Sequence, residues 1–389
     1  MPTPTYRAAV GFAKDAANVT LTAAVNVGAV TLPVSGTGVV ALSTVTIIDG
    51  PNSEQRAVTA GGGSTSLTVA ALTNAHSANA YVVSQLTASL GPADWMPVTT
   101  LKVKPNIAQL PDAALRGSAV VRYGSTDGVR YDEITIGGPV FTDTLGYLIG
   151  GVTGAVDFTG GTPNTFAFSV KNTGDTQPTP LQVWVNNGID TRLYAGARVS
   201  ELTVTYDTTG LLTYQATLIA YAAAPVAALT PTFSTITPVG GWQVQASING
   251  VAVQYVPKCD VTIKRPVSVI TTLQNLQDPY KLFAGPQDIT GSLGVVPDDN
   301  TEKNRYLTNT QPPLDLLFTA VGANPVTFQV HLTKANYIGF DEDQTGSDYL
   351  MATVPFEAIA NTTDATTAGT GYAMGKITIK STKSTGTYV

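Results

Sequence analysis

Residues 197–221, ARVSELTVTYDTTGLLTYQATLIAY, decide the fold class of this chain. Apolar side chains occupy every second position on both sides of a central DTTG: Leu202, Val204, Tyr206, Tyr214, Ala216 and Leu218. A strict period of two is typical of strands with one buried and one solvated face. The DTTG at 207–210 supplies turn residues. The stretch therefore predicts a long antiparallel β-hairpin.

The polar face of this hairpin holds hydroxyl and amide side chains and one carboxylate. Its members are Glu201, Thr203, Thr205, Thr213, Gln215 and Thr217. The segment contains no Cys or His, and Glu201 and Asp207 are its only acids. These residue types indicate a structural role for the hairpin and not a catalytic one.

The composition of the whole chain agrees with a β architecture. Its 389 residues suggest two or three domains. Only 12% of residues are charged, against about 25% in ordinary globular proteins. Low charge with 37 Gly and 24 Pro favours an all-β fold over a helical one. So few solubilising groups also indicate an extended surface for partners.

The charge balance separates classes of partner. A net charge of −6 argues against a sequence-independent nucleic-acid binder, which needs a basic footprint. The single Cys259 excludes an internal disulfide and a cysteine-rich metal site, and its strand-like surroundings predict a buried small hydrophobe. No apolar run approaches the ~20 residues of a membrane span, and the N-terminus lacks the pattern of a signal peptide. We therefore expect folding in a cytoplasm and no membrane partner.

Composition divides the chain into three parts: an arm at 1–15, a small β unit at 16–88 and a larger β region at 89–389. The unit at 16–88 is rich in Val, Thr, Ala and Gly, and its short strands recur at the spacing of a small sandwich or barrel. We predict those strands at 19–21, 30–34, 43–48, 54–58, 66–70 and 81–83.

In the larger region, alternation predicts further strands. They fall at 98–104, 118–123, 131–136, 242–248, 251–256, 259–265, 288–295, 315–320, 326–333, 349–358 and 376–380. A short helix is predicted at 278–283, and FTDTLGYLI at 141–149 fits either a helical turn or a strand. The Pro- and Ala-rich stretch 222–238 reads as a linker or long crossover.

No motif predicts catalysis or a cofactor. His331 lies on the polar side of TFQVHLTK and is expected to be solvated, whereas His76 lies in the loop-like TNAHSANA with no acid or Ser constellation nearby. GTGYAMG at 369–375 precedes a strand and reads as a hairpin loop, not a dinucleotide site. DEDQTG at 341–346 starts like a calcium loop, but its twelfth position is Ala352. We predict that 341–346 form a solvated hairpin tip, and a weak calcium site is the alternative hypothesis.

Several segments, taken in order, carry a family resemblance. They are GFAKDA at 11–16, VTTLKVKPNIAQLPDAALRGSAVVRYGSTDGV at 98–129, the 197–221 hairpin, and VTIKRPVSVITTLQNLQDPYKLFAGPQDITGSLGVVPDD at 261–299. This order resembles the tail tube (major tail) proteins of siphophage-type tailed bacteriophages. The resemblance covers most of 1–15 and 89–389, and the unit at 16–88 resembles small β modules inserted in other phage structural proteins.

The resemblance implies a β-sandwich or barrel core with one or two short helices, plus an inserted sandwich-like domain. It implies hexameric rings stacked into a hollow tube of the virion, assembled in the host cytoplasm, through which DNA is ejected. Implied partners are sister copies and the tape-measure, tail-terminator and distal tail proteins, with only transient, non-specific DNA passage. No enzymatic activity, cofactor or metal is implied.

Two positional hypotheses follow. The polar face of Glu201, Thr203, Thr205, Thr213, Gln215 and Thr217 lines the lumen, or else it is ordinary sandwich exterior. Residues 16–88 project outward, since an insertion of that size in the lumen would block DNA. The alternatives in function are a capsid decoration or baseplate protein, a bacterial surface adhesin, which the missing signal peptide disfavours, and a tail-associated hydrolase, for which no carboxylate pair can be nominated.

Overall fold

The protein is almost entirely β-structure. The structure is a computed structural model, and it describes residues 8–14, 19–39, 44–49, 52–84, 92–114, 120–169, 177–273, 276–320, 325–343, 349–361 and 374–388. Antiparallel strands dominate these residues, which confirms the predicted all-β class.

The strands are numbered along the chain. They are β1 (Ala9–Lys14), β2 (Val19–Thr20), β3 (Thr31–Pro33), β4 (Thr44–Ile48), β5 (Glu54–Ala60), β6 (Ser66–Val69), β7 (Tyr81–Ser84), β8 (Asp94–Met96), β9 (Thr100–Asp112), β10 (Gly124–Pro139), β11 (Ala155–Thr159), β12 (Asn164–Ser169), β13 (Leu181–Asn186), β14 (Thr191–Asp207), β15 (Thr213–Ala220), β16 (Ala224–Val226), β17 (Val244–Ile248), β18 (Val251–Val253), β19 (Lys258–Lys264), β20 (Val267–Ile270), β21 (Lys281–Ala284), β22 (Asp288–Val295), β23 (Leu314–Thr319), β24 (Thr327–Leu332), β25 (Ala335–Tyr337), β26 (Asp341–Asp343), β27 (Met351–Ala358) and β28 (Gly375–Ser381). The helices are α1 (Leu145–Thr153), α2 (Thr301–Leu307) and a 3₁₀ turn at Gly241–Gln243.

Residues 19–84, called the module below, form a six-stranded sheet in the order β2-β7-β4-β5-β6-β3. Their buried side chains make a separate apolar core of Val, Leu, Ile and Ala. The module is inserted between β1 and β8, which pair with each other as antiparallel neighbours at Phe12 and Asp94. The chain therefore leaves and re-enters the rest of the protein at almost one point.

The remaining strands form two large sheets. One has the order β9-β10-β15-β14-β19-β22-β27-β25, with β13, β1 and β8 branching from β14 and with β26 beside β27. The other is seven-stranded, in the order β11-β12-β28-β24-β23-β17-β18. Side chains from both sheets and from the buried helix α1 form one continuous core, so the two sheets make a sandwich.

Strand β14 runs through two parts of the first large sheet. Its first half pairs with β13 and β16, and its second half lies between β15 and β19. Between the halves stands Gly196 at φ +58°, a backbone conformation that glycine adopts without steric cost. A register shift with β13 spans Gly196, and a second one with β15 follows between Val199 and Glu201. Both mark the same change of direction.

The structure tests four local predictions. The helix predicted at 278–283 is wrong, because Lys281–Ala284 pairs with β20 and buries Leu282 and Ala284 in alternation. The strand predicted at 118–123 is wrong for 120–123, where the chain leads into β10, and 118–119 lie outside the described residues. The undecided stretch at 141–149 enters α1, which is fully buried. Within 222–238 a short strand, β16, pairs with β14.

Candidate functional site: a continuous polar sheet face

The hairpin that carries the candidate site is formed by β14 and β15. Its six polar residues face one another in pairs across the two strands: Glu201 with Thr217, Thr203 with Gln215, and Thr205 with Thr213. All six are exposed or half-buried, and the six alternating apolar residues are buried. The predicted alternation is therefore confirmed.

The six residues and Tyr214 line a shallow groove of about 260 Å³. Thr203 Oγ1 lies 2.9 Å from Thr262 Oγ1 on β19, so the hydroxyl-rich surface extends to the next strand. Four of the six side chains lining the groove are short threonines, and Glu201 and Gln215 are the two longer ones.

The same face continues across β9, β10, β19, β22 and β27, because residues at matched positions of the ladder point to the same side. It carries four lysines and six carboxylates, which are Lys102, Lys104, Lys258, Lys264, Glu133, Glu201, Asp207, Asp260, Asp288 and Glu357. Carboxylates thus exceed lysines by two on this face of the described strands.

Many of these charges have close polar neighbours. Lys104 Nζ lies 3.9 Å from Glu133 Oε2. Ser292 donates to Asp260 at 2.5 Å, and Asn336 donates to Glu357 at 2.8 Å. At the hairpin turn, hydrogen bonds from the side chain and backbone of Thr209 hold the pKa of Asp207 below its usual value. The face is therefore polar, and many of its charges have nearby partners.

Both lateral edges of this sheet are open. Within the described residues, β9 pairs only with β10, and β25 and β26 pair only with β27. Beyond the body of the sheet, the distal halves of β9 and β10 continue as an exposed two-stranded ribbon. Open edges present backbone N–H and C=O groups that another chain can pair with.

At one end, the polar face meets the module. Alternation along β15 continues from Thr217 to Ile219 and Tyr221. Ile219 is covered by the β20–β21 hairpin, and Tyr221 stacks on Tyr81 of the module with ring centroids 4.8 Å apart. The module is therefore seated on the same side of β15, beyond the bend of the neighbouring strand at Gly196.

The expectation that His76 has no acid nearby is wrong. The imidazole is buried, with Nε2 2.8 Å from Glu54 Oε1 and Nδ1 3.5 Å from Asp49 Oδ2. Both acids come from the β4–β5 hairpin, more than twenty residues earlier, so a local sequence window misses them. The cluster lies inside the module and away from the polar face.

The other residues singled out from the sequence have structural surroundings. His331 is half-buried on β24, with Nδ1 2.8 Å from Asp315 Oδ1, so it is less solvated than expected. Cys259 is buried, as predicted, and burial raises the pKa of its thiol. Of the possible calcium loop, Asp341–Asp343 form β26, whereas 344–348 lie outside the described residues.

No group of His, Cys, Asp and Glu side chains in the described part of the chain is arranged to hold a metal ion. None of the helices there is long and apolar enough to cross a bilayer.

Comparison with known proteins gives one family. Residues 87–358 match the family described as phage tail tube protein, which covers the polar face, both of its open edges and most of the sandwich. The match begins after the module. No curated protein matches the chain.

Proposed function

Since the chain belongs to the phage tail tube protein family and is a structural component of the virion, we propose that its copies join into hexameric rings. The rings stack into the hollow tube through which genomic DNA passes into the host. Assembly takes place in the host cytoplasm. The tape-measure protein occupies the bore, and the terminator and distal tail proteins bind the two ends.

One observation carries this proposal: a wide sheet whose apolar face is buried, whose polar face is continuous, and whose two edges are open. A sheet that is complete on its core side and incomplete at its edges gains hydrogen bonds by pairing with a second copy. Repeating this contact around a ring removes the edges.

In this arrangement the polar face lines the bore, with Glu201, Thr203 and Thr205 opposite Thr217, Gln215 and Thr213. Phosphate binding requires clustered cations. The lysines of this face are outnumbered by carboxylates, and Lys104 lies near Glu133. DNA therefore meets a wall that does not retain it.

The module lies outside the bore. Its attachment at β1 and β8 and its seat beyond Gly196 support a position around the bend of the sheet from the polar face. We treat 16–88 as the inserted domain and 1–15 with 89–389 as the tube domain.

Electron microscopy of the purified protein tests the proposal. We expect rings or tubes of uniform bore, and a density map with the Gln215 and Thr203 side chains on the inner wall. Isolated particles at high concentration, with none of the protein in intact virions, would refute the tube. A map with these side chains on the outer wall would refute the lumen assignment alone.

A further inference from the structure

The first large sheet consists of two halves with the same order of elements. Each half begins with two paired strands, β9 and β10 in one and β19 and β22 in the other. A helix follows, and then a hairpin in the second large sheet: α1 with β11–β12, and α2 with β23–β24. The chain then returns to the first sheet as a hairpin, β14–β15 or β26–β27, whose second strand pairs with β10 or β22. The sheet is therefore an internal repeat.

Two features align the halves in one register. Gly137 of β10 and Gly294 of β22 each lie between the first strand of their half and the second strand of the return hairpin. The return hairpins also match in length, since seven residues separate their last paired positions, 206–212 in one and 344–350 in the other. The glycines and the hairpins give the same alignment.

In this alignment, each lateral edge of the sheet has a counterpart inside the chain. Asp341–Asp343 of β26 correspond to 203–205 of β14, and 102–104 of β9 correspond to 260–262 of β19. The counterparts β14 and β19 pair with each other where the two halves meet. This internal junction is therefore a template for pairing β26 with the β9 of another copy.

At the internal junction the strands are antiparallel, and the side chains of the polar face meet in pairs. Thr203 lies opposite Thr262, with their hydroxyl oxygens 2.9 Å apart. Glu201 lies opposite Lys264. An acid on the last strand of one half thus faces a lysine on the first strand of the next half.

The same register, applied to the edges, also sets acids opposite lysines. Asp341 falls opposite Lys104, and Asp343 falls opposite Lys102. Asp341, Lys102 and Lys104 are exposed. Opposite charges that face each other across antiparallel strands stabilise the pair, and like charges destabilise it. Since the alignment was set by glycines and hairpin lengths and not by charge, the match supports it independently.

We infer that β26 of one copy pairs antiparallel with β9 of a second copy in this register, with Asp341 opposite Lys104. The inference rests on the proposed tube, and it adds which strands meet, in which direction and at which residues. The acidic segment 341–343 thereby serves contact between copies.

An engineered disulfide tests the register. Residues directly opposite each other in an antiparallel pair have Cα atoms about 4.5–5.5 Å apart, within the range that a disulfide spans. Assembled Asp341→Cys/Lys104→Cys should therefore oxidise to chains linked copy to copy. Asp341→Cys/Lys102→Cys, displaced by two residues, should give at least about tenfold less product, because diagonal neighbours are about 7–8 Å apart. Gel electrophoresis without reductant measures the products.

The internal junction supplies the matched control. Thr203→Cys/Thr262→Cys places two cysteines at the counterpart positions, so it should form a disulfide within one chain, in free subunits and in tubes alike. The native Cys259 is buried and does not compete.

Reversal of charge tests the residue match. Asp341→Lys or Lys104→Asp sets like charges opposite each other and should raise the critical concentration for assembly at least about tenfold at low salt. The double variant Asp341→Lys/Lys104→Asp should restore most of the loss. Asp298→Lys makes the same change of charge in an exposed loop and should leave assembly unchanged. Circular dichroism checks that each variant is folded.

The outcomes separate the two claims. Tubes in which the 341/104 pair stays unlinked while the internal control closes, or in which the displaced pair links instead, overturn the inference and leave the tube proposal standing. A double reversal that fails to restore assembly contradicts the match of Asp341 with Lys104. If the wild type never forms rings or tubes, the tube proposal fails and the inference fails with it.

Discussion

The module at 19–84 and the large sandwich are both built from antiparallel strands, yet their polar groups are satisfied in different places. The module has a small aliphatic core without aromatic residues, and it buries charge inside itself around Glu54 and His76. The sandwich has an aromatic core around Tyr147 and Tyr388, and it leaves a polar face and two sheet edges open.

In the proposed ring, this difference indicates that the sandwich, and not the module, pairs with neighbouring copies. The carboxylate of Glu54 accepts hydrogen bonds from the backbones of Thr73 and Asn74 and from the Thr73 hydroxyl, and it pairs with His76 and Arg56. The module thus pairs this carboxylate with groups of its own chain. The edges of the sandwich stay open within one chain, and in the proposed ring neighbouring copies pair with them.

Removing the whole module is the largest change that tests this contrast. When residues 15–92 are replaced by a short Gly-rich turn, we expect the tube domain to fold and to form tubes of smaller outer diameter, because β1 and β8 are already neighbours. Electron microscopy measures the tubes. Fluorescence checks the fold, since all three tryptophans lie outside 15–92. A folded tube domain that fails to assemble would make the module part of the assembly machinery.

In the sandwich, the largest single-residue effect is expected at Tyr388. Its ring is buried against Tyr147, Phe166 and Phe168, and its hydroxyl donates to Asp143 O at 2.9 Å. Tyr388→Ala should lower the free energy of unfolding of the sandwich by about 3–5 kcal/mol.

The matched control is Tyr388→Phe, which removes the hydroxyl alone and should cost about 1 kcal/mol. Denaturant titration followed by tryptophan fluorescence measures both variants. Equal, small losses in the two would show that the C-terminal segment does not support the core.

In the module, the corresponding residue is Glu54. Glu54→Gln removes the charge that faces His76 and Arg56 and should lower the stability of the module by about 2–3 kcal/mol, while Thr73→Val, which removes one donor, costs about 1 kcal/mol. Circular dichroism reports both regions, whereas tryptophan fluorescence reports only the sandwich, so a transition seen by circular dichroism alone belongs to the module. A fluorescence transition that moves with Glu54→Gln would contradict independent folding.

Lowering the pH should destabilise the module through its buried carboxylates. Burial raises the pKa of Glu54, but hydrogen bonds from Thr73, Asn74 and His76 outweigh it and lower the pKa to about 2 from 4.5. A lowered folded-state pKa means that this stabilisation is present above pH 4.5 and is lost as the pH falls toward 2. The pKa of Asp49 is also lowered, so it acts in the same direction. Glu54→Gln should weaken this pH dependence in a circular dichroism titration, and an unchanged profile would assign it elsewhere.

Local sequence patterns predicted many of the strands. The features that they did not predict depend on contacts between distant parts of the chain. Alternation placed the polar face of β14 and β15 at the correct residues, since period two is written into adjacent positions. It could not place Asp49 and Glu54 beside His76, because that contact depends on the pairing of distant hairpins.

The same limit explains the error at 278–283 and the start of the strand predicted at 242–248, which begins at Val244. Lys281–Ala284 is a strand because β20 is available to pair with it, which its own residues do not reveal. Trp242 sits in a stretch read as a strand, and only the packing of Gly241 on the β14–β15 turn brings its ring to the surface.

The smallest expected effect is the coupling between module and sandwich. Tyr81 and Tyr221 stack at 4.8 Å with their planes 23° apart, bordered by Ile48 and Leu282. A double-mutant cycle of Tyr81→Ala and Tyr221→Ala should give a coupling free energy of about 0.5–1.5 kcal/mol. Denaturant titration with circular dichroism and fluorescence resolves the two regions. A larger coupling would mean that the module and the sandwich fold as one unit. A value near zero would mean that the module is held only through its two chain connections.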